Sequence, residues 1–535
     1  MNRDRALRRL AASGPPWDVL VIGGGATGLG VAVDAAARGY RTALVEQHDF
    51  AKGTSSRSTK LAHGGVRYLR SGEIGLVRGA LRERGLLARN APHLVQRRGF
   101  VIPVYRWLDL PVYGLGLKAY ERLSGRLSFG ASRRLSAAET MRLLPTVKHA
   151  GLHGGVLYYD GQFDDARLAL ALARTADDQG ATVVNYARVE RLLKTDGRLV
   201  GAEIVDQESG RSLTVRARVV VNATGIFTDA IRRLDDPAVT PMLAVSSGVH
   251  LTLPRRFLPG EHALMIPRTS DGRVLFAVPW QDHVIVGTTD EPRPAPEIDP
   301  LPLAHEVEFL LAQANAYLAE PVALADVLSV FTGLRPLVRK GRAAATKSLS
   351  RDHVVAVSPA GLVTVTGGKW TSYRHMAEDA VTRAAAVGGL APQTVRTQTL
   401  RLHGAPAAGR AVPTGRFAHY GTEAAALGKM IKGEPALGAA LHPRLVLCGA
   451  EVVWAARHEM ARTVDDVLAR RTRGLQLDAH AAVAAAPRVA ALLAQELGRN
   501  KAWIAAQVAE FSALAAGNFP DRRNPLGSAA VAAKA

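Results

Sequence analysis

Gly23, Gly25 and Gly28, with Glu46 closing the stretch DVLVIGGGATGLGVAVDAAARGYRTALVE (18–46), have the types and spacing needed to hold a dinucleotide. Gly23 lets the chain turn sharply, Gly25 lets the backbone approach a pyrophosphate, and Gly28 lets the next helix pack closely on the strand. That helix turns its unpaired N–H groups and the positive end of its dipole toward the phosphates. A carboxylate at Glu46 can accept both hydroxyls of a ribose and would repel a 2′-phosphate. The elements that must position these residues are a hydrophobic strand, the glycine turn, a helix whose Ala32 and Ala36 continue the Gly28 face, and a second strand. A glycine triplet alone is a weak sign, and the βαβ context makes it a strong one. A buried hairpin or membrane span would carry fewer glycines and would not change its period at Gly23.

Two further strand-to-glycine turns lie far along the chain. VVVNATG runs through Ala223 to Gly225, and TVTGGK runs through Gly368 to Lys369. A flavin nucleotide is long enough to need such separate contacts along its ribityl and ring parts, whereas a nicotinamide unit is usually contiguous. FAD is therefore the expected cofactor.

The 535 residues suffice for two or three domains with sizeable cores. Hydrophobic content of 47% excludes a disordered chain, and no uncharged apolar run is long enough to span a bilayer. The N-terminus MNRDRALRRLAASGPP lacks the apolar core of a secretory signal. The single cysteine, Cys448, rules out an intrachain disulfide and points to a reducing, cytoplasmic setting. A net charge of +21 calls for an anionic partner. With aromatic residues at 5% and arginines spread along the chain, no nucleic-acid partner is expected. An anionic membrane surface fits better, at about 1 kcal/mol per basic residue near the leaflet. Residues 104–123, VYRWLDLPVYGLGLKAYERL, set Trp107, Tyr113, Leu115, Leu117 and Tyr120 beside Arg106, Lys118 and Arg122; this reads equally as an interfacial segment or a buried helix with a basic edge. Residues 2–11 read better as an ordinary packed helix than as an anchor.

The pattern divides the chain into a loose leader (1–16), a first part of the FAD-binding domain (17–100), a substrate or interfacial segment (101–160) and a second FAD-binding part (161–245). A substrate domain (246–345), a last FAD-binding part (346–390), a helical domain (400–520) and a tail (521–535) follow. A helix is predicted over 163–180, antiparallel strands over 181–225, a hairpin across Gln281-Asp282, and helices over 451–471 and 479–498. His458, Glu459 and Arg462 invite a metal reading, but no second histidine follows at helical spacing. They are expected on a solvated helix face, and no metal site is predicted.

GGGATG (23–28), TSSRSTKLAHGGVRYL (54–69), FDDARL (163–168), NATG (222–225), GVH (248–250), GTTD (287–290), GLRPL (333–337) and GGKWTSYR (367–374) together resemble the FAD-dependent, quinone-linked glycerol-3-phosphate dehydrogenases. The resemblance covers about residues 17–500 and extends to RHEMARTVDDVLARRTR (457–473). It departs at SSGVH, where the family commonly has lysine-glycine-serine-histidine. The implied fold is α/β: a Rossmann-type FAD-binding domain, an antiparallel β-sheet substrate domain and a C-terminal α-helical domain.

The implied reaction oxidises sn-glycerol 3-phosphate to dihydroxyacetone phosphate with hydride transfer to FAD, and a membrane quinone then takes the electrons. By the resemblance Arg67, Arg335 and Lys369 line the substrate pocket, with Tyr68 beside Arg67 and Arg335 held in a loop. His63 and His250 are the two candidates for the general base, and an alkoxide stabilised by Arg67 or Lys369, with water taking the proton, is the alternative. Ser55, Ser58, Gly64 and Gly65 follow the diphosphate and ring. Arginine suits a phosphate monoester because its planar fork donates two parallel hydrogen bonds. Rival readings are an oxidase that hands its electrons to oxygen, an amine-oxidising flavoenzyme, and, more distantly, a flavin-bearing RNA-associated protein. The implied location is the inner face of the cell membrane, peripherally attached; a homodimer is compatible with the chain, and its sequence does not fix the oligomeric state.

Overall fold

Continuous apolar runs and alternating ones divide most strands of this chain between two sheets. The computed structural model describes residues 1–65, 72–339 and 353–521, apart from the side chain of Arg126; Arg67, Tyr68 and the tail from residue 522 lie outside these. The first sheet orders its strands His353–Val357, Leu362–Gly367, Ser212–Asn222, Trp17–Ile22, Thr42–Val45 and Thr182–Val184, all parallel except at the His353–Val357 edge. Val19, Leu20 and Val21 are fully buried, as strands covered on both faces require. The helix Ala26–Ala37 lies between Asp165–Asp178 and Tyr373–Val387. Its small residues permit this, since a Cβ on Gly30 would come within 2.9 Å of the Tyr373 ring. Ala187–Thr195 and Arg198–Asp206 form the predicted antiparallel extension leading into Ser212–Asn222.

The second sheet has ten strands among the described residues, antiparallel except where Ala263–Ile266 runs beside Val95–Val104. The hairpin Leu275–Trp280/His283–Gly287 turns at Gln281-Asp282, as expected. Alternation assigns its faces. Phe100, Ile102, Val156 and Tyr158 share a cluster with Val77, Leu81, Leu117 and Tyr120 of the helices Ile74–Asn90 and Asp109–Ser124. Val101 and Leu157 instead pack in a cluster with Val307 and Leu310 of the helix Ala304–Tyr317. The C-terminal helices, chiefly Gly449–His458, Ala479–Leu497 and Lys501–Ala515, gather a third core that also takes in Trp280, Ile285 and Phe331 of the sheet.

Residues Arg3–Ala11 form a packed helix, as the reading of residues 2–11 favoured, although they fall in the stretch also assigned to a loose leader; the helix buries Ala6 and Leu10, while Arg3 pairs with Asp206 and donates to the Asn185 carbonyl. Three details differ from the sequence reading. In Asp109–Ser124, Leu117 and Tyr120 are buried, and the exposed apolar residues nearby are Trp107, Leu108, Val112 and Leu115. Arg335 belongs to the strand Ser329–Val338, not to a loop. The helix expected over 451–471 breaks at Met460, which takes a left-handed φ of 54°, and resumes as the wide turn Asp466–Arg471.

The break brings buried charges to their partners. Arg167 grips both oxygens of Glu459 at 2.9 and 2.8 Å, and Arg471 donates to Asp49 and to the Glu459 carbonyl. Glu459 is thus fully buried, not on a solvated face. Burial alone would push its carboxyl up, but Arg167, with its hydrogen bonds, and then Arg174 bring it down to about 2. A carboxyl depressed on folding contributes stability above its unfolded value of about 4.3 and loses that contribution as the pH falls to about 2. Glu459→Gln should therefore lower Tm at neutral pH, by leaving Arg167 uncompensated, and make the fall of Tm across that acid window shallower than in the wild type.

Candidate active site

Two cavities meet at Thr54, one at the ends of the parallel strands and one against the antiparallel sheet. The first, about 190 Å³, is lined by Gly23, Gly25, Glu46, Ser55, Ala223 and Gly225. Gly23 turns with φ 112°, and a Cβ there would lie 2.6 Å from the Ala223 carbonyl oxygen. Gly25 precedes the first turn of Ala26–Ala37 and offers no side-chain cap; the Ala26 N–H donates to Ser55 Oγ at 2.9 Å. Gly28 stands behind this wall, where a Cβ would strike the Gly23 carbonyl oxygen at 1.9 Å. Glu46 closes Thr42–Val45 and accepts the N–H groups of Gly24 (2.6 Å) and His48 (2.8 Å). Burial raises its carboxyl above the usual range, and those two N–H groups partly offset the rise.

The second cavity, about 330 Å³, is lined by His63, Gly65, His250, Arg335, Gly368 and Lys369 of the predicted residues, together with Ser58. Arg335 is pinned from behind: its guanidinium donates to the carbonyls of Ser247 (2.8 Å) and Thr289 (2.9 Å) and to Thr288 Oγ1 (3.2 Å). Gly248 makes this possible, because a Cβ there would meet the guanidinium at 2.4 Å. This is the stretch where the chain departs from the family's usual residues. Lys369 precedes the turn Trp370–Ser372, which is tied to the nucleotide side by Trp370 Nε1 donating to the Ser55 carbonyl at 2.9 Å.

The His250 ring stacks on Phe331 at 4.8 Å, and its Nε2 lies 2.8 Å from Thr59 Oγ1. Burial, then the charges of Lys60 and Arg335, hold it well below the ordinary imidazole range, so it is neutral at pH 7. His63 is half-buried, its backbone N–H donating to Thr371 Oγ1 at 3.2 Å.

Two predicted residues serve the wall more than its inner surface. Ser58 gives both its N–H and its hydroxyl to Asp165, at 3.0 and 2.7 Å. Gly64 does not line the cavity, and its N–H points back to the Tyr120 hydroxyl. Arg67 and Tyr68 lie outside the described residues.

Sequence reasoning missed Asp160, Thr59 and the apolar lining Leu61, Phe100, Tyr158, Met265 and Phe276. Asp160 left a trace as a single acid within the otherwise uncharged strand Gly154–Phe163, and Thr59 and Leu61 lie inside the motif stretch 54–69.

The lining fits FAD. Three glycine turns leave backbone where side chains would intrude, a carboxylate ends the second strand, and a second chamber adjoins the first at Thr54. Fold and cleft define an FAD-dependent oxidoreductase, and the family model described as FAD dependent oxidoreductase matches residues 18–374. A second model, the C-terminal domain of alpha-glycerophosphate oxidase, matches residues 382–504. A probable mitochondrial glycerol-3-phosphate dehydrogenase of Caenorhabditis elegans is 42% identical over 93% of this chain and 73% of its own length. The mitochondrial glycerol-3-phosphate dehydrogenase of Rattus norvegicus is 41% identical over 90% and 70%. The solved glycerol-3-phosphate dehydrogenase of Bacillus halodurans, complexed with FAD, superposes with a TM-score of 0.78 at 27% identity, covering 97% of this chain and 98% of that one. The chain belongs to the FAD-dependent glycerol-3-phosphate dehydrogenase family.

Proposed function

We propose that this enzyme oxidises sn-glycerol 3-phosphate to dihydroxyacetone phosphate and passes the electrons to a membrane quinone. The observation that carries the substrate reading is Arg335, which lines the chamber together with Lys369 and is held there by two backbone carbonyls and by Asp290 Oδ1 at 3.4 Å. A guanidinium held this way is ready for a phosphate monoester, and Arg67, by the family resemblance, adds a second. Bound FAD supplies the acceptor for the hydride leaving C2. His250, neutral at pH 7, or His63 takes the proton of the C2 hydroxyl. Tyr68 stands beside Arg67 in this reading.

The test is anaerobic addition of sn-glycerol 3-phosphate to the purified protein. Bleaching of the flavin absorbance is expected, with fast reoxidation by a soluble quinone and slow reoxidation by air. Rapid reoxidation by air with peroxide release would favour an oxidase instead. A flavin bleached only by an amino acid would remove the phosphate reading.

Among the described residues no helix is long and apolar enough to cross a membrane. Peripheral attachment to the cytoplasmic face of the cell membrane is carried by the helix Asp109–Ser124 and the residues before it. Trp107 is 68% exposed and Leu115 75%, with Leu108 and Val112 also exposed and Arg106, Lys118 and Arg122 at the surface nearby. That pairing of apolar and basic groups complements an anionic bilayer. A Trp107→Ser/Leu115→Ser double variant should partition onto phosphatidylglycerol vesicles about 100- to 10,000-fold less well, at about 1.5–3 kcal/mol for each of the two large side chains. Its flavin should still bleach with substrate, and sedimentation with vesicles unchanged from the wild type would remove this surface from membrane contact.

A further inference from the structure

The chamber wall at His63–Gly65 is held from behind by a buried polar group outside the cavity lining. The Tyr120 hydroxyl, on the buried face of Asp109–Ser124, accepts the Gly64 N–H at 2.6 Å. It lies 3.0 Å from each oxygen of Asp160, to which it donates. Asp160 in turn accepts from Arg84 Nη1 at 2.6 Å, and the same nitrogen reaches the Tyr159 carbonyl at 3.2 Å. Tyr120, Asp160 and Arg84 are all buried, and they come from two helices and a strand of the antiparallel sheet. Burial raises the Asp160 carboxyl to about 6, with Arg84 opposing that rise.

We propose that Tyr120 is a positioning residue for the oxidation, setting the His63–Gly65 wall against the bound flavin and substrate through Gly64 and Asp160. His63 and Gly65 both line the chamber, and Asp160 lines it too. Two successive N–H groups of this wall are held by different partners, His63 N–H by Thr371 Oγ1 and Gly64 N–H by the Tyr120 hydroxyl. There is no slack in this arrangement: a Cβ on Gly64 would lie 2.6 Å from Leu81 and 2.8 Å from the Tyr120 hydroxyl. Without that hydroxyl, a buried N–H loses its partner and the wall is free to shift. Hydride transfer is steeply sensitive to such shifts, with a displacement of about 1 Å able to cost about 100-fold in rate. The inference rests on the proposed oxidation of sn-glycerol 3-phosphate in this chamber.

Tyr120→Phe keeps the ring among Phe100, Leu117 and Tyr158 and removes only the hydroxyl. In the FAD-loaded variant, flavin reduction by sn-glycerol 3-phosphate should slow by about 10- to 100-fold. KM should change less than threefold, because Arg335 is untouched, and the visible absorbance envelope of the flavin should shift. A lowered Tm with unchanged reduction rate and unchanged envelope would overturn the proposal, since a merely structural tyrosine gives that result. Asp160→Asn should show the same pattern and decides the matter if Tyr120→Phe does not fold. If the wild-type flavin is not reduced by sn-glycerol 3-phosphate, the substrate reading fails by itself. The absorbance envelope of the two variants then decides, a shift supporting the positioning role and no shift overturning it.

Discussion

Arg335→Ala is expected to raise KM for sn-glycerol 3-phosphate by about 10- to 100-fold while the purified protein keeps a full complement of FAD. The magnitude follows from one charge-assisted interaction, about 1.5–3 kcal/mol, at about 1.4 kcal/mol per tenfold. The separation of effects follows from geometry. Arg335 lines the larger chamber only, and the nucleotide end is built from Gly23, Gly25, Glu46 and Ser55. Arg335→Lys should recover little, because an ammonium cannot reach the Ser247 and Thr289 carbonyls and a phosphate with the same planar spread. Steady-state kinetics together with the flavin-to-protein absorbance ratio check both variants. An unchanged KM in Arg335→Ala would take this arginine out of substrate binding.

Gly25→Val should yield a folded protein that purifies colourless. The backbone there has φ −84°, which valine adopts without strain, and the nearest atom to a Cβ is Ser55 Oγ at 3.0 Å. The branched side chain would instead project into the space that the pyrophosphate must occupy. Gly23→Val is the useful contrast, since φ 112° and a Cβ 2.6 Å from the Ala223 carbonyl predict failure of the fold itself. Circular dichroism and bound-flavin absorbance distinguish the two cases. A yellow Gly25→Val protein with normal FAD content would mean that the diphosphate does not pass over this turn.

Residues dictated by backbone shape were the readable part of this chain. A turn that leaves no room for a Cβ restricts the residue type, so Gly23 and Gly28 announce themselves, Gly25 completes their spacing, and the continuous apolar runs before and after this turn mark the parallel sheet. Arg335 was legible as a site candidate but not as part of a strand. Gly333 and Pro336 flank it like a loop, although both sit in register against Gly248 and Val245.

The orientation of Asp109–Ser124 was not legible, because apolar residues lie on both its sides: Leu117 and Tyr120 pack inward while Val112 and Leu115 face out. Periodicity has nothing to choose between there. Nor could Tyr120, Asp160 and Gly64 be associated, since 40 and 56 residues separate the hydrogen-bonded pairs and no motif joins them. The break at Met460 carries no glycine or proline, and it is set by distant charges that only the folded chain brings together.

Asp49, just beyond the strand that ends near Glu46, has its guanidinium partners in Arg470 and Arg471, the latter 422 residues further along the chain. A chain emerging from the ribosome therefore makes its nucleotide-binding half long before the counterions of that half exist. Until residue 471 has been synthesised, the carboxylate must stay hydrated and the surrounding segment open. Maturation of the cofactor site is in this sense a late step of synthesis, and chains cut short after residue 390 should be recovered as chaperone-bound or aggregated material, not as a smaller flavoprotein.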